Sequence, residues 1–460
     1  MGTIRLHGWN PIFRNTLSID ERSGRARIEW RSNVLVPWTV LMAETVQRGT
    51  WLSARRLRAH SLILGVALWS VYVWTLAAPG LRDRNGNLKG TDFLHFYTLG
   101  TLASTHRGGE LYDMSAQAAL AGQRVPPAAG LRYLPLYPPQ LSILFAPFSP
   151  LPYEWALALW WIVSGAIYGF CCYGIWRACP YLRGHGRTVG LAAIAFPPFF
   201  HLIAWGQVSA LALACFTLMF FALEKKREVL AGVFLGCLIF KPQLGLASAV
   251  VFLAIGAWKI LARAIASAVS QLCCAVLYYG VDPLREWWRT IWNVRSVLPW
   301  LEPKPYQTHC LRTFWSMLIP WTKLSFALYI ATGLMVLAMT IASWNRAKAA
   351  PLALRFSVLL LATVLVAPHL TVYDLVVLAP AILLLANWNV REAGSIAARR
   401  IGFAVYCVYV LPLLGPLARW THVQLSVIAM SGLLYLIWRV SMQTPDQCTA
   451  GATTAAVRTA

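Results

Sequence analysis

The sequence predicts an all-α polytopic membrane protein, on three observations. Only 12% of the 460 residues are charged and 58% are hydrophobic, whereas a soluble domain carries roughly 25% charged residues. The apolar residues form long runs with few charges at 60–79, 153–176, 322–344 and 423–438. Each of these approaches the ~20 residues that carry a helix across a ~30 Å hydrocarbon core. The 40 Lys and Arg gather in short stretches between such runs, the pattern that marks cytoplasmic loops. The net charge of +23 therefore points to membrane lipid and not to nucleic acid. No basic stretch carries the interleaved aromatics on which bases stack.

Residues 1–58 form a basic segment with ten Arg ahead of the first apolar run, so the N-terminus is expected in the cytoplasm. Because that segment is polar, residues 57–79 read as a retained span and not as a signal peptide. Later inside-facing markers are Arg177, Arg183 and Arg187, then Lys225, Lys226 and Arg227, then Lys259 and Arg263. Arg346 and Lys348, Arg391, Arg399 and Arg400, and finally Arg439 follow. Segment 137–150 breaks the alternation, being short and carrying Pro138, Pro139, Pro147 and Pro150. It is expected to dip or lie at the outer interface, where protein or water can satisfy a broken backbone. The expected membrane domain then covers 59–440 with about twelve spans and both termini inside. Long outer loops fall at 80–136 and 281–321, and a polar cytoplasmic tail at 441–460 is expected to be disordered. The ten Cys show no zinc-like or disulfide spacing, and most sit in apolar runs as small hydrophobes.

Charged and polar groups near membrane depth default to function, which sets the candidates. Asp92 opens the stretch DFLHFYTLGTLAS, where Phe93, Phe96, Tyr97 and Gly100 fall at helical spacing. That predicts a short amphipathic helix on the outer membrane surface. Asp92 and His95 are three apart and share a face; Asp92 is either a functional carboxylate or a helix cap. A second short helix follows from Asp113 to about Leu120, with Asp113 read as its cap. Lys241, between two apolar segments and followed by Pro, reads as a partner for phosphate or as a snorkelling Lys. His369, in the turn PHLTVYD ending at Asp374, is either a ligand or a satisfied turn residue. Gly206-Gln207 is either a polar site element or a plain turn. The charge pattern places Asp92, Gln207, Lys241 and His369 on the outer face together.

In order along the chain stand DF-x₃-Y (Asp92, Phe93, Tyr97), G-x-LYD (Gly109 to Asp113), YPP (Tyr137 to Pro139), GQ (Gly206, Gln207) and AG-x₃-G-x₄-KP (Ala231 to Pro242). This series resembles glycosyltransferase family 87, over roughly residues 60–374. The resemblance implies the GT-C membrane architecture and transfer of a hexose, mannose above all, from a polyprenyl-phosphate donor. The acceptor would be a lipid-linked or envelope glycan on the outer side of a bacterial inner membrane. It makes Asp92 the base and carries binding roles onto Lys241, Gln207 and His369. A glycosidase needs two carboxylates because its leaving group must be protonated. A phosphate monoester leaves as an anion, so one base and cations that hold the phosphate suffice. Arg132, Arg295 and Arg312 of the outer loops could join Lys241 in the second task, with His95 near the base. No Asp-x-Asp occurs in the chain, and no metal or other cofactor is expected. The rival class is a transporter or lipid flippase, which should place ionisable residues in the middle of spans; here they lie at span ends and in loops.

Overall fold

The computed structural model describes residues 53–293, 304–346 and 350–443, together with the backbone of two N-terminal strands. Those strands, Asn15–Ile19 and Ala26–Trp30, pair antiparallel with Asn15 opposite Trp30. The rest of the basic N-terminal segment, Arg295, Lys348 and the tail from 444 lie outside the described residues.

The other regular elements among the described residues are helices. Among the described residues, seven helices are long and apolar enough to cross a membrane: Ala54–Leu76, Tyr153–Ala178, Trp258–Tyr279, Thr322–Asn345, Val372–Arg391, Ile396–Thr421 and Leu425–Gln443. The pair Pro180–Ile194 and Pro197–Trp205, bent by 48°, adds an eighth if it is one span. Four further apolar helices, Ser209–Glu224, Glu228–Phe240, Pro242–Ala254 and Leu352–Val366, are shorter. At 1.5 Å per residue the longest of these four reaches only ~24 Å, short of the ~30 Å core. Of about twelve expected spans, seven or eight thus qualify by length and composition, and four apolar helices are shorter. Of these, Leu352–Val366 is enclosed by protein: Phe356 to Val366 are all buried, the signature of a helix surrounded on every side.

Two sequence features explain the close packing near the site. Gly232 and Gly236, one helical turn apart, meet the Trp258–Tyr279 helix so tightly that a Cβ would lie 2.3 Å from the Ile260 carbonyl oxygen and 2.2 Å from that of Ala264. The glycines of the AG-x₃-G motif are thus a small-residue helix contact, and they set the height of Lys241 at the helix end. Gly236→Leu should therefore cost at least ~1–3 kcal/mol through overpacking. It is expected to remove the monodisperse peak in size-exclusion chromatography of the detergent-solubilised protein, and an unchanged peak would contradict this packing.

The Asp92 helix departs from expectation. It spans Thr91–Ser104, but all of Phe93 to Ala103 is buried, so it is a core helix and not an amphipathic helix on the membrane surface. The aromatic stripe was legible; the opposite face, with Leu94, Thr98 and Leu102, is equally enclosed. Thr98 and Thr101 satisfy their hydroxyls on carbonyls one turn back. Gly100 lets the 137–150 segment lie directly on this helix, since a Cβ there would meet the Phe145 carbonyl at 2.3 Å. Phe93 stacks on Trp160 and Phe96 on Phe145. Within 137–150 the only α-helix is Gln140–Phe145, six residues long, which spans ~9 Å and cannot cross. Asp113 caps the helix Met114–Arg124 by accepting from the Ser115 and Ala116 amides at 2.8 and 3.1 Å.

Several exposed tryptophans stand near the two long loops on the loop-rich face. Trp74 and Trp155 flank the 80–136 loop, and Trp288, Trp292 and Trp321 lie in or beside the 281–321 loop; all are 60% or more exposed. Such amphipathic rings suit the headgroup level of a bilayer, as expected at the face that carries the two long loops.

Candidate active site

A cavity of about 1080 Å³ opens on that face. Its walls come from distant parts of the chain: Asp92 and His95, then Arg132 and Tyr137, then Gln207, Lys241 and His369. Of the candidates named from sequence, Arg295 lies outside the described residues and Arg312 is not on the wall. Its guanidinium Nε donates to the Pro368 carbonyl and so steadies the turn that presents His369. Nearby, Thr308 bridges to Thr371 and the His309 amide donates to the Leu370 carbonyl at 2.9 Å, tying the second long loop to the same turn.

Asp92 owes its setting to a glycine. Gly206 takes a left-handed φ of 73° at the end of the helix Pro197–Trp205, and a Cβ on it would meet Phe93 Cβ at 2.6 Å. Glycine alone permits both the turn and this approach. Trp160 Nε1 donates to the Gly206 carbonyl at 3.0 Å and holds it. The next residue is thereby delivered to the carboxylate: Gln207 Nε2 donates to Asp92 Oδ2 at 2.6 Å. Asp92 does not cap its own helix; the N-cap is Gly90, with no side-chain cap bond. The capping alternative is therefore set aside.

A helix N-terminus holds a carboxyl down, yet here burial dominates. Asp92 is pushed up to about 6, chiefly by desolvation; the Gln207 hydrogen bond and the Lys241 charge oppose the rise and the Asp374 charge adds to it. A carboxylate with this value is poised as a base near neutral pH. His95, on the same helical face, is pushed down to about 4 by burial and is neutral at pH 7.

Lys241 does not present an unpaired charge. Its Nζ lies 2.7 Å from Asp374 Oδ1 and 3.0 Å from Ser209 Oγ, while Ser209 donates to the same carboxylate oxygen at 2.6 Å. Both charged side chains are about 95% buried, and the ammonium also sits 5.0 Å from the centre of the Tyr373 ring. Asp374 in turn forms a capping box with Thr371. Asp374 was the residue missed as a site element, although its signal was present in the Thr-x-x-Asp spacing of the PHLTVYD turn. The side chains of Arg132 and of Lys304, a second unforeseen wall residue, make no hydrogen bond or ion pair among the described residues.

Residues 136–368 match glycosyltransferase family 87, about half of the chain. The protein belongs to glycosyltransferase family 87. No curated protein and no solved structure matches it. Family membership with several long apolar helices makes this a multi-pass membrane glycosyltransferase, and the transporter or flippase reading is set aside. The family 87 match takes in Gln207 and Lys241 and ends one residue before His369. Asp92, His95 and Arg132 precede it, so their case rests on the geometry of the cavity they share with the matched residues.

Proposed function

We propose that this glycosyltransferase moves a hexose, mannose being the sugar that the sequence resemblance implies, from a polyprenyl phosphate to a glycan or glycolipid acceptor. The observation that carries this reading is the charge inventory of the cavity wall. Asp92 is poised as a base, while Asp374, the other wall carboxylate among the described residues, is occupied by Lys241 and Ser209. One base with cations beside it suits a phosphate leaving group and does not suit the acid–base pair of a glycosidase.

In the proposed step Asp92 takes the proton of the acceptor hydroxyl as its oxygen bonds to the sugar C1. The C1–O bond to phosphate breaks, and polyprenyl phosphate departs with the electron pair. Attack opposite the phosphate inverts the anomeric centre. Arg132, Lys304 and His369 are proposed to hold the phosphate, with Lys241 shaping the site through Asp374 and Gln207 orienting the base. A monophosphate needs no diphosphate-clamping metal, so the reading is metal-independent. The lipid tail of the donor would enter from the bilayer, and the site would face the outer side of a bacterial inner membrane.

The test supplies purified protein in lipid nanodiscs with radiolabelled mannose on either polyprenyl phosphate or a nucleoside diphosphate, together with membrane glycolipid extract. Label is expected to transfer from the polyprenyl donor alone, with chelator present. Transfer only from the nucleotide sugar, or only with added divalent metal, would overturn the reading.

A further inference from the structure

One polar wall residue is left unexplained by phosphate binding. His95 is 4% exposed, lines the cavity, and neither of its ring nitrogens has a hydrogen-bond partner among the described residues. Buried polar groups are ordinarily paired, and leaving one unmade is costly. Kept neutral by burial, this imidazole can donate one hydrogen bond and accept another, but it brings no charge to a phosphate. Its surroundings are aromatic. The Tyr133 ring centre is 5.2 Å away and that of Tyr137 is 5.8 Å away. Tyr133 is anchored by donating to the Thr91 carbonyl at 2.5 Å.

The position next to Asp92 gives this corner a direction. Residues three apart on a helix have Cβ atoms ~5–6 Å apart, about the reach between groups that meet two neighbouring hydroxyls of one sugar ring. A neutral donor–acceptor between aromatic faces is what orients a polyhydroxylated ring by its hydroxyls, while the faces cover its C–H surface. We propose that the corner formed by His95, Tyr133 and Tyr137 is an acceptor subsite for a hexopyranose whose attacking hydroxyl faces Asp92 and whose neighbouring hydroxyl pairs with the His95 imidazole. The acceptor end is then a saccharide and not a lipid headgroup or a protein side chain. This rests on the proposed transfer reaction, with Asp92 as its base.

The experiment measures binding apart from turnover. The full chain in phosphatidylcholine nanodiscs carries Asp92→Asn to block transfer, and methyl α-D-mannopyranoside, glucopyranoside and galactopyranoside are titrated by saturation-transfer difference NMR. At least one glycoside is expected to bind and to stay bound when a short-chain polyprenyl-phosphate mannose is added. Adding His95→Phe should weaken that glycoside at least tenfold and leave donor binding within twofold, which also shows that the variant is folded. His95→Gln, which keeps a donor and an acceptor, should recover most of the loss. Glycoside binding that ignores His95→Phe, that is absent from the parent, or that the donor displaces would overturn the subsite. If the donor neither binds nor reacts while glycoside binding still depends on His95, the subsite stands and the donor assignment falls.

Discussion

Asp92→Asn is expected to lower sugar transfer by about 10²–10⁴-fold, the usual contribution of a positioned general base, while the protein remains folded and in the membrane. The amide has nearly the shape of the carboxylate and cannot take the acceptor proton. The wild-type pH profile should carry the same information. Only the ionised carboxyl is a base, and Asp92 is pushed up to about 6, so kcat/KM rises with pH below about 6 and levels off above it. Gln207 donates to the ionised form and therefore holds that value down. Gln207→Leu should move the acid limb to higher pH, with a smaller loss at pH 8 than at pH 6. Initial rates across pH 5–8, for both variants and the parent, would check this. A fully active Asp92→Asn protein, or an acid limb indifferent to Gln207→Leu, would remove Asp92 from the role of base.

The second large effect concerns Lys241. Lys241→Met leaves the Asp374 carboxylate buried without its counter-charge, a change that costs about 3–5 kcal/mol in comparable buried pairs. The double variant Lys241→Met/Asp374→Leu removes both charges, and apolar replacement of a whole buried pair is often neutral. The single variant should therefore lose thermal stability sharply in detergent, with much of it regained in the double variant. A Lys241 that served mainly as a phosphate ligand would behave otherwise: its loss would raise the donor KM and leave the melting temperature nearly unchanged. Thermal melts alongside donor titrations separate the two.

The lesson from the Lys241–Pro242 motif is that residue type and topology identify a site group without identifying its partner. Placing Lys241 on the same face as Asp92, Gln207 and His369 needed only charge sorting along the chain. Its counter-charge lies 133 positions away, in the PHLTVYD turn, where the sequence marks Asp374 only as the residue that closes the turn. The glycines of the same motif were visible as a pattern, but their reason was not. It lies in the carbonyls of Ile260 and Ala264, which belong to a different helix.

The class of the protein, the apolar segments and the side of the membrane shared by the site candidates follow from the sequence alone. They depend on hydrophobic length and on where Lys and Arg interrupt it, both local properties of the chain. The order of short motifs, from Asp92 through Lys241–Pro242, pointed in the same way to the family. Only the tertiary structure decided that the Asp92 helix is enclosed and that Arg312 serves the backbone of the Pro368 turn. It also decided that Lys241 is neutralised and that Gly206 brings Gln207 to the carboxylate. Burial on every side, a paired charge and a missing Cβ are relations between distant segments, and it is those relations that enclose Asp92 and raise its proton affinity.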